Sequence, residues 1–199
     1  MKTILRISLA TLLALASTAC SKGTLINEQR DMTAATWNNF DPQLFSFTVP
    51  STDDCYNIFV NAAIANVALR IARIPDAVLD AAAQMKPSLL ADALYELAQS
   101  YSSFYHRQWL PITVRIDNPS GEHRMFRYDL KAIDEKGYWV GTPLKDGSLL
   151  IEACIRKYFF FNSVGETTIQ LKQCTDRFDL HGIQAITLRI EKAKLEYPK

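Results

Sequence analysis

Motifs that carry chemistry are scarce in this 199-residue chain. It has only three histidines, His106, His123 and His181, and no two of them stand at metal-ligand spacing or beside a cysteine. This pattern argues against a zinc site. The chain also has no GxSxG, no Walker loop and no GxGxxG, which are signatures of serine hydrolases, P-loop NTPases and dinucleotide-binding domains. We therefore expect no metal, no cofactor and no catalytic residue.

Carboxylate pairs are the remaining chemical candidates, because a glycosidase needs two acids that face each other across a cleft. Acidic residues are closest together in the sequence at Asp53 with Asp54, Asp134 with Glu135, and Asp176 with Asp179. The first two pairs lie in turn-like places, where acids are solvated and help to close the backbone. The third shares its loop with Arg177, as a surface ion pair would. A glycosidase-like enzyme is therefore the least favoured function.

The chain also has no large excess of positive or negative charge. Lysine and arginine number 22, and aspartate and glutamate number 21, which gives a net charge of +1. Because nucleic-acid-binding proteins usually carry a basic surplus, we predict no nucleic-acid partner. With 48% hydrophobic and 22% charged residues, the composition is that of an ordinary globular protein.

No apolar run is long enough to span a membrane, which takes about 20 residues. A shorter run, residues 7–16, follows Lys2 and Arg6 and leads into Ser17, Thr18, Ala19 and Cys20. A charged start, an apolar stretch and small residues are typical of a signal peptide. The cysteine that follows resembles the lipobox of bacterial lipoproteins, and the alternative is an ordinary secretory signal with an accidental cysteine. We predict that residues 1–19 are cleaved and that Cys20 is acylated.

Acylation predicts where the protein works. Each buried CH2 group contributes about 0.8 kcal/mol, so two or three acyl chains anchor a protein stably. We read residues 20–34 as a lipidated tether and residues 35–199 as one domain. The predicted location is the cell envelope, at the inner or outer membrane and facing the periplasm, with membrane lipid as a partner through Cys20.

The domain has the pattern of a mainly β protein. In residues 45–49, apolar and polar side chains alternate, as in a half-buried strand. After residue 110, short strand patterns are separated by the turn sequences NPSG, DEKG, LKDG and NSVGE. Seven or eight such strands predict an antiparallel, jelly-roll-like β-sandwich.

An alanine-rich stretch interrupts this pattern. Residues 62–105 predict an inserted α-helical segment, with helices at about 75–85 and 88–104. Leu90, Leu94 and Leu97 recur at spacings of four and three residues, which gives one helix an apolar stripe. We expect this stripe to pack on the sheets and to cover outward-facing rings of the aromatic run 158–161.

The cysteines after Cys20 allow one disulfide. In a hairpin centred on Val164, Cys154 and Cys174 would lie opposite each other, close enough to bridge. The alternatives are that both stay reduced, or that Cys55 pairs with one of them.

Tryptophans allow a test of whether the protein binds glycans. A glycan-binding module would present Trp109 or Trp139 on a concave face.

Several short motifs resemble GldH-type gliding motility lipoproteins of the Bacteroidota. The sequence GYWVG, residues 137–141, is similar to that family's G-x-W-x-G, and residues 165–193 resemble its last hairpin. WNNF, FSFTV and CYNIFV, at residues 37–60, fit as well. The matched positions in the last hairpin are Gly165, Gln173, Leu180, Gly182, Leu188, Arg189 and Glu191. Thr175 and Asp176 depart from the family's Met-Arg, and residues 62–105 are an extra insertion.

The resemblance implies a non-catalytic, membrane-anchored β-sandwich lipoprotein. It would be an accessory component of gliding motility or of the associated secretion machinery in the envelope. It would act by binding envelope protein partners, and the inserted helices are the natural surface for them. A glycan-binding lipoprotein is the alternative.

Overall fold

The computed structural model describes residues 23–65, 108–136 and 138–194. The predicted signal peptide, Cys20 and almost all of the predicted helical insertion lie outside these ranges. The insertion was predicted to begin at residue 62, and this boundary is wrong because Ala62 and Ile64 belong to a strand. The described elements are β1 (Thr24–Asp31), a 3-10 turn (Thr33–Ala35), β2 (Thr36–Asn38), β3 (Gln43–Val49), β4 (Cys55–Ile64), β5 (Trp109–Asp117), β6 (His123–Lys131), β7 (Thr142–Pro143), β8 (Leu149–Phe160), β9 (Gly165–Gln173), β10 (Asp179–His181) and β11 (Ile183–Lys192).

Two antiparallel sheets enclose one core, which confirms the predicted mainly β fold. The five-stranded sheet has the order β1-β11-β4-β8-β7, and the four-stranded sheet has the order β3-β9-β5-β6. A small ladder joins β10 to β2. At one side of the molecule β1 lies near β3, and at the other side β6 lies near β8.

Alternation of apolar residues builds the core between the sheets. On β3, Phe45, Phe47 and Val49 are buried, whereas the intervening residues face solvent. On β5, Leu110 and Ile112 are inward in the same way. Because side chains of a strand point alternately to its two faces, this period of two fixes which face each strand buries.

Two contacts between an arginine and an aromatic ring close the side where β6 meets β8. The guanidinium of Arg156 lies 3.9 Å from the ring centroid of Phe126, and that of Arg124 lies 5.6 Å from that of Phe159. Such cation–π contacts attract by about 0.5–2 kcal/mol. We call these four residues the seam.

The aromatic run 158–161 divides between core and surface. Phe161 is buried, with its ring edge-on to Phe47 and Tyr56. Tyr158 and Phe160 stay about half exposed, at 49% and 47%. The helical segment expected to cover outward-facing rings of this run lies almost wholly outside the described residues, so that covering stays a prediction.

The hairpin that would have brought Cys154 and Cys174 together does not form. Strand β8 pairs with β4 and β7, whereas β9 pairs with β3 and β5 in the other sheet. The chain between them therefore crosses from one sheet to the other. Cys154 lies opposite Phe59, and the Cys174 thiol lies 2.8 Å from the hydroxyl of Thr113. Both are free thiols, so the register argument for a disulfide no longer holds.

Candidate binding site around Trp109

Trp109 begins β5 and projects from the outer face of the four-stranded sheet. Its neighbour Gln108 has a left-handed backbone (φ 58), and the Gln108 carbonyl accepts hydrogen bonds from the N–H groups of Ala132 and Ile133, at 2.8 and 3.1 Å. These bonds fix the backbone that carries the indole. The ring remains 42% exposed, and the Lys131 ammonium lies 5.8 Å from its centroid.

A shallow groove runs along the outer face beside this ring. It has a volume of about 340 Å³ and is lined by Trp109, Pro111, Arg127 and Asp129. Arg127 Nε donates to Asp129 Oδ1 at 3.0 Å. We call it the outer-face groove; it combines an aromatic plane with an ion pair.

Cations predominate at this end of the sheet, although the whole chain is nearly neutral. Lys172 on β9 and Arg127 on β6 lie on either side of Thr113 in one row across three strands. Together with Lys131, they give this end of the outer face three cations, and Asp129 is the carboxylate that lines the outer-face groove. Among the described residues, neither Lys131 nor Lys172 forms an ion pair with a carboxylate.

A deeper cleft opens where β6 and β8 separate beyond the seam. Its volume is about 540 Å³, and we call it the seam cleft. Its lining is Trp109, Tyr128, Asp129, Lys131, Val140, Gly141, Thr142, Leu150, Ile151, Glu152, Ala153 and Cys154. The wall has little side-chain volume at Ala153 and Gly141, which leaves the space open.

Gly141 is required by the close approach of two backbones at this cleft. A Cβ atom added there would lie 2.6 Å from the Leu150 carbonyl oxygen. That approach lets Thr142 pair with Leu150, so that β7 adds to the edge of β8. The second glycine of GYWVG therefore has a structural role in shaping the cleft.

The polar groups of the seam cleft do not form an acid–base pair of the kind that hydrolases use. Glu152 Oε2 accepts from Arg189 at 3.2 Å, and Asp129 is paired with Arg127. Burial raises the pKa of the Cys154 thiol, which favours the protonated and less nucleophilic form. These groups can bind and orient a ligand.

The three carboxylate pairs considered in the sequence lie elsewhere and hold the fold. Asp54 pairs with Lys192 at 2.5 Å. Asp134 Oδ1 accepts the backbone N–H groups of Lys136 and Tyr138. Asp179 accepts from the Asn38 amide at 2.6 Å. None of them lines either pocket described above.

The other predicted positions have mixed outcomes. Cys20 lies outside the described residues, so its acylation stays a prediction. Trp139 packs partly buried against the core, whereas Trp109 is the exposed indole on a concave surface. Within the described residues, no group of three or more histidine, cysteine or acidic side chains is arranged to hold a metal, and a search for helices able to cross a membrane finds none.

Sequence reasoning missed Lys172 and Glu152 as members of this site. Lys172 on β9 joins the row of Thr113 and Arg127 through strand pairing, whereas Glu152 on β8 belongs to the other sheet and lines the seam cleft with Trp109. The sequence does contain a signal for Trp109. Because Leu110 and Ile112 are apolar and point into the core, the odd-numbered residues of the same strand, including Trp109, point to the outer face.

Part of the chain is similar to a known family. Residues 48–132 match the model of the DALR anticodon binding domain. No curated protein and no solved structure is significantly similar to the chain. The match covers fewer than half of the 199 residues, and its described part runs from the end of β3 through β4, β5 and β6. It contains Trp109, Arg127 and Lys131.

This match overturns the recognition of a GldH-type lipoprotein, because the family found is a different one. It also contradicts the predicted accessory role in gliding motility and the predicted partners, which were envelope proteins and membrane lipid. The predicted absence of a nucleic-acid partner is wrong on the same ground, since an anticodon is RNA. The resemblance to GldH-type lipoproteins was misleading because several of its motif residues shape turns. Gly141 permits a close approach of two backbones, and Gly165 and Gly182 have positive φ. Such residues specify folds and do not identify functions.

Proposed function

We propose that this protein binds single-stranded RNA, without catalysis, through Trp109 and the cations around it. The observation that carries the proposal is that the segment similar to an anticodon-binding domain contains Trp109, Arg127 and Lys131, which lie together on one exposed surface. Near neutrality of the whole chain does not oppose it, because the three cations are concentrated at one end of the sheet.

The chemistry of this surface suits an unpaired strand. Exposed aromatic rings on sheets stack on unpaired bases, and each stacked base contributes about 1–3 kcal/mol. Lys131 lies beside the indole, Arg127 lines the same groove, and Lys172 lies across Thr113 from Arg127, so the three cations can neutralise successive phosphates. A duplex keeps its bases stacked internally, so it offers Trp109 no free base.

Binding of fluorescein-labelled RNA to the full-length protein, followed by anisotropy, tests the proposal. The probes are a single-stranded oligonucleotide, a hairpin with an unpaired loop and a fully paired duplex of the same composition. We expect Trp109→Ala to weaken binding of the first two by roughly 5- to 150-fold, which corresponds to one stacked base. Tyr138→Ala is the matched control, because this tyrosine is also exposed but lies outside the groove and the cleft.

Salt gives an independent readout. Each phosphate contact to a single strand contributes about −0.7 to the slope of log K against log salt concentration. Lys131→Gln should make that slope shallower by about this amount. Equal affinities of the Trp109 and Tyr138 variants, or retention on a polysaccharide and not on RNA, would refute the proposal.

A further inference from the structure

We propose that two exposed phenylalanines, Phe40 and Phe178, dock a protein segment that presents an arginine side chain. We call these two residues the phenylalanine pair. The proposal does not depend on RNA binding, because the pair lines neither the outer-face groove nor the seam cleft.

The phenylalanine pair is a stacked aromatic surface that faces solvent. The two ring centroids lie 5.6 Å apart, and the ring planes differ by 19°. Phe40 is nevertheless 73% exposed, and Phe178 is 67% exposed. Single exposed apolar residues are common on proteins, but apolar residues that adjoin in a patch are more typical of binding surfaces.

Hydrogen bonds hold the two loops that carry the rings. The Asn39 N–H donates to the Phe178 carbonyl at 2.6 Å, which ties the loop of Phe40 to that of Phe178. The indole of buried Trp37 donates to the Asp41 carbonyl at 3.1 Å, directly after Phe40. Because these loops are already ordered, a partner does not have to order them, which lowers the entropic cost of association.

Carboxylates outnumber cations in these loops. Asp41 and Asp179 directly follow the two rings in the chain, and Asp176 lies close to the second, whereas Arg177 is the one cation in residues 39–42 and 174–179. The Asp41 and Asp179 carboxylates accept hydrogen bonds from side-chain amides, which are uncharged. The surface around the phenylalanine pair therefore attracts cations and repels the phosphates of an RNA strand.

Arginine is the side chain that matches aromatic rings bordered by carboxylates. Its guanidinium stacks on aromatic faces and donates to carboxylates, whereas the lysine ammonium is a compact and more strongly hydrated charge. The protein makes the same kind of contact internally, where the Arg156 guanidinium lies 3.9 Å from the ring centroid of Phe126. Aromatic residues and arginine are also enriched at protein interfaces.

Oligoarginine and oligolysine of equal length, labelled with fluorescein, test the proposal by anisotropy with the full-length protein. The two peptides carry the same charge, so a difference in affinity reports on the rings. We expect oligoarginine to bind at least about twofold more tightly, as a cation–π contact at an exposed site predicts. Changing both Phe40 and Phe178 to alanine should weaken oligoarginine binding about fivefold or more and bring the two affinities together. Phe160→Ala is the matched control, because it removes another half-exposed phenylalanine outside the pair.

A charge variant separates the contribution of the carboxylates from that of the rings. Asp41→Asn should weaken binding of both peptides alike, by up to about fivefold, and leave the preference for arginine unchanged. A loss of that preference in Asp41→Asn would contradict the assignment of the preference to the rings.

The remaining outcomes decide between partners. Equal affinities of the two peptides for the unaltered protein would overturn the proposal, as would an equal loss in the Phe160 variant. Loss of RNA binding in the double phenylalanine variant, with peptide binding unchanged, would assign the pair to RNA and refute a protein partner. Loss of peptide binding with RNA binding retained supports the proposal, and the same two assays show separately whether RNA binding itself fails.

Discussion

Gln173 offers a sharp test of how the fold is held, because its side chain is wholly buried yet polar. Its Nε2 donates to the Arg177 carbonyl at 2.9 Å, and its Oε1 accepts from the Thr175 N–H and hydroxyl at 2.8 and 2.7 Å. Replacement by alanine removes three good hydrogen bonds. At about 1 kcal/mol each, the free energy of unfolding should fall by about 3 kcal/mol, and the melting temperature by roughly 6–12 °C.

Urea denaturation followed by circular dichroism measures this loss. The matched control is Gln170→Ala on the same strand, whose side chain points to the outer face and should change stability by less than about 0.5 kcal/mol. A loss below about 1 kcal/mol for Gln173→Ala would refute the reasoning, since it would mean that the loop 174–178 is not organised by this amide. A loss of similar size in both variants would refute it as well.

Two further predictions concern alkaline pH and the N-terminus. Burial raises the pKa of Tyr56, and the hydrogen bond to Asp54 raises the pKa of Lys192. Groups whose pKa is raised on folding stabilise the protein below their unfolded pKa and lose that contribution as pH rises, so stability should fall above about pH 10. Urea titrations should show a smaller fall for Tyr56→Phe. Acylation of Cys20 predicts added acyl mass on the N-terminal peptide, which should be lost in Cys20→Ala; an unmodified peptide from the wild-type protein would contradict it.

The strands could be predicted from sequence because their signal is local. The alternation at Phe45, Phe47 and Val49 depends only on which face of β3 meets the core. The pairing of β8 with its neighbours is not local. NSVGE marks a reversal of the chain, but the reversal becomes a crossing between sheets because Phe161 is drawn into the core against Phe47. No turn sequence contains that information.

The binding surface was only partly predictable for the same reason. Trp109 could be singled out as an aromatic residue that a glycan-binding concave face would expose. Lys172 joins the surface through the order of the strands in its sheet, and Glu152 joins it because β8 of the other sheet approaches β6. Spacing along the chain reveals neither arrangement. The functional interpretation failed because glycines at turns were given functional weight.

The outer edge of β6 has a consequence for behaviour at high concentration. In the part of the chain that the structure describes, this nine-residue strand pairs on one side only, with β5. An unpaired edge of that length invites a second molecule to add a strand and begin aggregation. Here the edge bears Arg124, Arg127, Asp129 and Lys131, whose charges would have to be desolvated in any such stack. The side chains proposed to meet RNA therefore also act as gatekeepers that keep neighbouring copies apart.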